Sequence, residues 1–103
     1  MVKSTTFWRN LDAAKVILTN AFSSSGVRRV EFVVGFGNDD SVWVWLGTTT
    51  DAERDALGAR PTLAAEVIEI LGGRGLEIGD TVTVQSEEAV TREYEGSWFY
   101  AMR

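Results

Sequence analysis

The amino-acid sequence predicts one α+β domain over residues 1–103, a two-layer sandwich with helices on one face of an antiparallel or mixed sheet. Four to five strands are expected, in the order α-β-β-α-β-β. Three observations carry this reading. Apolar residues recur at spacings of three and four through residues 6–24, the period of a helix with one buried face. From residue 27 the pattern changes to alternation and holds it to residue 48 across one short polar turn, the period of paired strands. The second half then repeats the change from helical to alternating period.

The first helix places Phe7, Leu11, Ala14, Leu18, Ala21 and Phe22 on its apolar stripe, with Asp12, Lys15 and Thr19 opposite. Trp8 and Ile17 fall outside both sets. Thr5 or Thr6 can cap its start, and Ser23-Ser24-Ser25-Gly26 stops it, with Gly26 suited to a left-handed terminal position. Val30, Phe32, Val34 and Phe36 then alternate against Arg29, Glu31, Val33 and Gly35. Asn38-Asp39-Asp40-Ser41 is turn chemistry, and in residues 42–48 Val42, Val44 and Leu46 face one way while Trp43 and Trp45 face the other. These two strands make an antiparallel hairpin.

Thr50-Asp51-Ala52-Glu53 has the form of a capping box and opens a helix that Gly58 interrupts. Pro61 opens a second helical stretch with Leu63, Ala64, Val67, Ile68 and Leu71 on one side, and Gly72-Gly73 ends it. Residues 76–80 read as a turn into a strand at 81–85. The remainder supports two readings: Ser86-Glu87-Glu88-Ala89 starts a helical turn, or residues 90–95 pair with residues 98–102 across Gly96-Ser97. In both, the end is read as an aromatic strand carrying Trp98, Phe99 and Tyr100.

What is missing narrows the chemistry. With no cysteine and no histidine, the chain lacks thiol nucleophiles, disulfides, the usual general base near neutral pH and the commonest transition-metal ligand. Carboxylates, arginines, tyrosines, hydroxyls and the lysines Lys3 and Lys15 remain. The longest apolar run, residues 42–46, is far short of the ~20 residues of a membrane helix. The first residues carry a charge with no apolar stretch behind it, so a cytoplasmic protein without a secretory leader is expected. Gly35-Phe36-Gly37 and Gly72-Gly73-Arg74-Gly75 are not phosphate loops, because neither stands between a strand and a helix start.

The net charge of −5 is unevenly distributed: residues 1–29 carry +4, residues 30–58 carry −5 and residues 75–103 carry −4. A negative long-range field disfavours nucleic acid and favours a protein partner with a basic surface. The carboxylates Asp39 and Asp40 at the hairpin tip and Glu87 and Glu88 before the last segment are read as parts of one acidic surface. If the helices cover the Val30, Val42 and Val44 face, then Trp43, Trp45 and Val33 lie on the open one, near Trp98 and Tyr100. Exposed Trp and Tyr mark binding hot spots. The alternative is an inverted sheet with both tryptophans beneath the helices.

The sequence therefore points to a small acidic, non-enzymatic binding protein that neutralises or regulates a partner, the class of immunity proteins, antitoxins and phage-type inhibitors. Its expected partner-binding residues are Trp43, Trp45, Asp39, Asp40, Trp98, Tyr100, Glu87 and Glu88; no cofactor, metal site or catalytic residue is expected. Two alternatives stand beside it. One is a self-associating subunit, a homodimer through the open sheet face. The other is a small-ligand pocket or weak carboxylate enzyme.

Overall fold

The computed structural model describes residues 4–34 and 41–102 and, for residues 78–81, the backbone alone. The chain runs α1 (Thr5–Ala21), a 3-10 turn (Ser23–Ser25), β1 (Val27–Val34), β2 (Ser41–Thr48), α2 (Asp51–Gly58), α3 (Leu63–Gly72), β3 (Glu77–Ser86), α4 (Glu87–Tyr94) and α5 (Trp98–Ala101). The class is α+β, as the change of period implies. Among the described residues the sheet has three strands rather than four or five, ordered β1-β2-β3. It is mixed: β1 and β2 form the expected antiparallel hairpin, and β3 lies parallel to β2 on its other side. A parallel neighbour needs a long crossover, and α2 and α3 supply it.

The hairpin pairs Val30 with Leu46, Phe32 with Val44 and Val34 with Val42, so one face is aliphatic throughout. Helices α1, α2 and α3 bury that face. Leu11, Ala14, Leu18 and Phe22 from the first helical segment meet Leu57 of α2, Leu63, Val67 and Leu71 of α3, and Val27, Val30, Val42, Val44 and Leu46 of the sheet. Val82 and Val84 of β3 pack against the same cluster. The sheet is thus not inverted. The α1 stripe holds except at Ala21, which is exposed, and in α3 Ala64 and Ile68 turn outward while Leu63, Val67 and Leu71 face the core.

Local chemistry explains the element ends. Ser4, one residue before the expected caps, accepts the Phe7 N–H at 3.1 Å and opens α1. Gly26 takes φ 93°, the left-handed conformation anticipated for it, and lets the chain turn into β1. At α2 both halves of the capping box are made: Glu53 N–H donates to Thr50 Oγ at 3.2 Å, and Thr50 N–H donates to Glu53 Oε1 at 2.9 Å. Residues 76–80, read as a turn, instead give β3 an early start at Glu77.

The C-terminal segment departs most from expectation. Residues 98–102 contain no strand: Ser86 caps α4 through the Ala89 N–H at 3.0 Å, and Ser97 caps α5 through the Tyr100 N–H at 3.3 Å. Two serine caps and the burial of Trp98 outweigh the β-propensity of three consecutive aromatics, since such propensity largely reports how a side chain packs. Nor do the helices all lie on one face. Trp98 crosses to the side of the sheet away from the core, where it forms a small second cluster with Val90 and Ala101.

Candidate functional site

On the face opposite the core the strand register sets out three rows. Val33 stands beside Trp43, Glu31 beside Trp45 and Thr83, and Arg29 beside Gly47 and Gln85. Trp43 and Trp45 alternate with the fully buried Val42, Val44 and Leu46, so strand pleating alone turns both indoles away from the helices. Both are half-buried, and Val33 is 39% exposed.

The third row is closed by Trp98, which is only 6% exposed. Its ring lies on Gly47, where an added Cβ would come within 2.8 Å of Trp98 Cη2. Trp98 Nε1–H donates to Glu87 Oε2 at 2.7 Å, and the Arg29 guanidinium sits 5.0 Å from the indole centroid while pairing with Glu31 at 3.2 Å. The second face is therefore half roofed. At one end Trp98 of α5 covers Gly47, and beyond it Trp45, Trp43 and Val33 belong to neither buried cluster.

A polar network ties this roof to the rest. The parallel strands β2 and β3 end side by side, Thr48 beside Ser86, and each runs into a helix start. The Asp51 carboxylate accepts from Ser86 Oγ and, at 3.0 Å, from Arg92 Nη1, with Arg54 Nη1 at 3.4 Å. Glu88 Oε1 accepts the Asp51 backbone N–H at 2.7 Å, so a side chain of α4 caps α2. The Ser86 hydrogen bond, helped by Arg92 and Arg54 and opposed by partial burial, holds the Asp51 pKa below its ordinary range. The Thr50 backbone N–H, with smaller help from its hydroxyl, Thr49 and Arg28, does the same for Glu53. Asp55, first among several carboxylates, holds Arg54 above its ordinary value. The α2 start thus meets the chain's own carboxylates, Glu53 and Glu88, in the positions a bound anion would take, whereas the α4 start is met by Ser86 Oγ and the Thr49 carbonyl.

The structure gathers some of the expected site residues and separates others. Trp43 and Trp45 share the open stretch. Trp98 lies on the same face but is buried, serving as its roof. Tyr100 is 57% exposed on α5, at a shallow cleft shared with Glu93, Tyr94 and Glu95. Glu87 and Glu88 keep exposed positions while bonding Trp98 and Asp51. Asp39 and Asp40, with Gly35-Phe36-Gly37, lie outside the described residues. The sequence reading missed Gly47, Arg29 and the Asp51–Ser86–Arg92 group. The last joins residues up to 41 positions apart and has no local signature; Gly47, a lone glycine inside an alternating strand, is the one such signal, marking close approach by another group.

These features define a class by architecture: an α+β domain with, among the described residues, a three-stranded mixed sheet whose second face is half covered by its own C-terminal segment. No protein-family model, curated protein or solved structure matches the chain.

Proposed function

We propose that this chain is a small protein-binding module that neutralises or regulates a partner protein docked on the open sheet face, with Trp43 and Trp45 as its anchors. The observation that carries the reading is the half-roofed second face, where two half-buried tryptophans and exposed Val33 stand on the paired strands β1 and β2. Large aromatic side chains held by a sheet lose little conformational freedom when a partner covers them, which is why Trp dominates binding hot spots. The acidic balance supports a basic partner. The described acidic pairs support a non-enzymatic role, because Asp51, Glu53, Glu87 and Glu88 serve helix caps, ion pairs and the Trp98 indole.

The test is affinity capture of the tagged chain from its native lysate beside a Trp43→Ser control, with light scattering on the purified chain. A stoichiometric foreign protein that disappears with Trp43→Ser, while the variant keeps the wild-type circular dichroism spectrum and still unfolds cooperatively, supports the reading. Recovery of only its own copies, with a dimer that does not dissociate on dilution, replaces it with self-association through the same face.

A further inference from the structure

The surroundings of Trp98 form a seat with three parts. Its floor is the Gly47 backbone, bare of a side chain where an added Cβ would stand 2.8 Å from Trp98 Cη2. The Arg29 guanidinium lies 5.0 Å from the indole centroid, and Glu87 Oε2 accepts the Nε1–H at 2.7 Å. Floor, cation and acceptor belong to β2, β1 and α4, so the seat is complete without α5. The set suits an indole in particular, because a phenyl ring has no N–H for the carboxylate and an aliphatic chain has no π face for the guanidinium.

The two C-terminal helices are held in different ways. Helix α4 is tied at its start by the Ser86 cap, by Glu88 Oε1 on the Asp51 N–H at 2.7 Å and by Arg92 on Asp51 at 3.0 Å. Helix α5 has four residues, of which Trp98 and Ala101 are buried. A single turn has little stability of its own, so α5 keeps its place chiefly through the indole. Between the helices Glu95 and Gly96 take left-handed φ values of 53° and 83°, a conformation whose cost at Glu95 is recovered if the turn opens. The seat also adjoins the open stretch of the face, since Arg29 pairs with Glu31, which stands beside Trp45.

We propose that the Gly47 seat is a tryptophan-binding site at the inner end of the open face, which α5 keeps filled from within the chain and yields to a tryptophan side chain of the docked partner. The assignment rests on the reading of the chain as a protein-binding module and names the group that the partner offers. An incoming indole takes over the same floor, cation and acceptor that Trp98 gives up, so no polar group is left unpaired by the exchange. What opposes it is the tether, which holds Trp98 beside the seat at a high effective concentration.

The experiment needs no partner. Nα-acetyl-5-fluorotryptophan amide is titrated into the intact protein and into Trp98→Ala and followed by fluorine NMR, with unchanged amide spectra outside α4 and α5 verifying that the variant is folded. Saturable binding to both is expected, about tenfold or more tighter in Trp98→Ala, where the internal competitor is gone. In wild type the bound probe should speed amide exchange at Ala101 and Met102, whose N–H groups bond within α5, and leave Ala89 of α4 protected. Adding Arg29→Met to Trp98→Ala should weaken binding about two- to fivefold, the range of an exposed cation–π contact. A probe that binds neither protein, binds both equally, or leaves α5 exchange in wild type unchanged overturns the assignment; if Trp98→Ala does not fold, the exchange result in wild type decides. A wild-type dimer that Trp98→Ala abolishes, seen by light scattering, also overturns it, because a second copy's α5 then fills the seat. If the probe binds as expected and no protein is captured through Trp43, it is the open-face reading that falls; if a protein is captured and the probe fails, the seat assignment alone falls.

Discussion

Gly26 and Glu95 share a backbone conformation that L side chains rarely adopt, and they point to opposite engineering outcomes. Gly26 has φ 93°, and a Cβ there would collide with the Glu53 carboxyl group that completes the α2 cap. Gly26→Ala is therefore expected to cost at least about 1–2 kcal/mol, the left-handed penalty alone, with the displaced Glu53 adding to it. Urea denaturation measures this, and a loss below about 0.5 kcal/mol would show that the turn relaxes freely. Glu95 has φ 53° at the end of α4, a position glycine usually fills. Glu95→Gly should stabilise the fold by about 0.5–1 kcal/mol, the relieved backbone cost less glycine's extra unfolded entropy. No gain, or a loss, would mean that the Glu95 side chain contributes to the native state.

At the scale of elements, what joins α2 to α4 is carboxylate chemistry, and pH addresses it directly. Asp51 and Glu53 have folded pKa values lowered from the ordinary 3.8 and 4.5. At neutral pH both are ionised in the folded and unfolded chain, so their stabilisation is fully present. As pH falls past 4.5 and 3.8 the unfolded chain takes up protons first, and stability is lost until the folded values are passed. Asp51→Asn and Glu53→Gln should therefore be less stable than wild type at neutral pH and show a flatter decline in melting temperature with acid. Parallel curves for variant and wild type would contradict this.

Elements also show how far the sequence can be read. Helix α1, the hairpin, the capping box and the aliphatic core face were legible because each is a local period or a motif of four residues. The sidedness of Trp43 and Trp45 followed once the helices were known to cover Val42 and Val44. The C-terminal segment was legible only at Ser86-Glu87-Glu88-Ala89, where the helical start, one of the two readings, is the one that forms. Consecutive Trp98, Phe99 and Tyr100 read as strand, yet their conformation depends on Trp98 finding Gly47 and Glu87, contacts that no window of the sequence contains. The cross-helix bond from Asp51 to Glu88 was hidden for the same reason, and it turns acidic residues that look like an open patch into fixed structural groups.

At the scale of the whole molecule, charge and fold divide the surface unequally. Helix α1, with exposed Arg9 and Lys15, lies on the layer away from the open sheet face, whereas four glutamates and one arginine stand between residues 87 and 102. Under the proposed function, a basic partner approaching the open face would meet a negative field before it touched any side chain, so charge would govern the rate of encounter and the tryptophans retention. Lys15→Glu, on the far layer, should therefore speed association about twofold at low salt, with dissociation unchanged, because it deepens the field without touching the contact. At about 1 M salt, where the Debye length is near 3 Å, that gain should vanish. Trp43→Ser should act the other way, raising the dissociation rate at every salt concentration and leaving association nearly constant. Surface plasmon resonance with the captured partner separates the two. If Lys15→Glu changes dissociation instead, then α1 itself is in contact and the partner sits on the helical layer, where a basic helix flanked by acidic neighbours would need a different kind of complementarity.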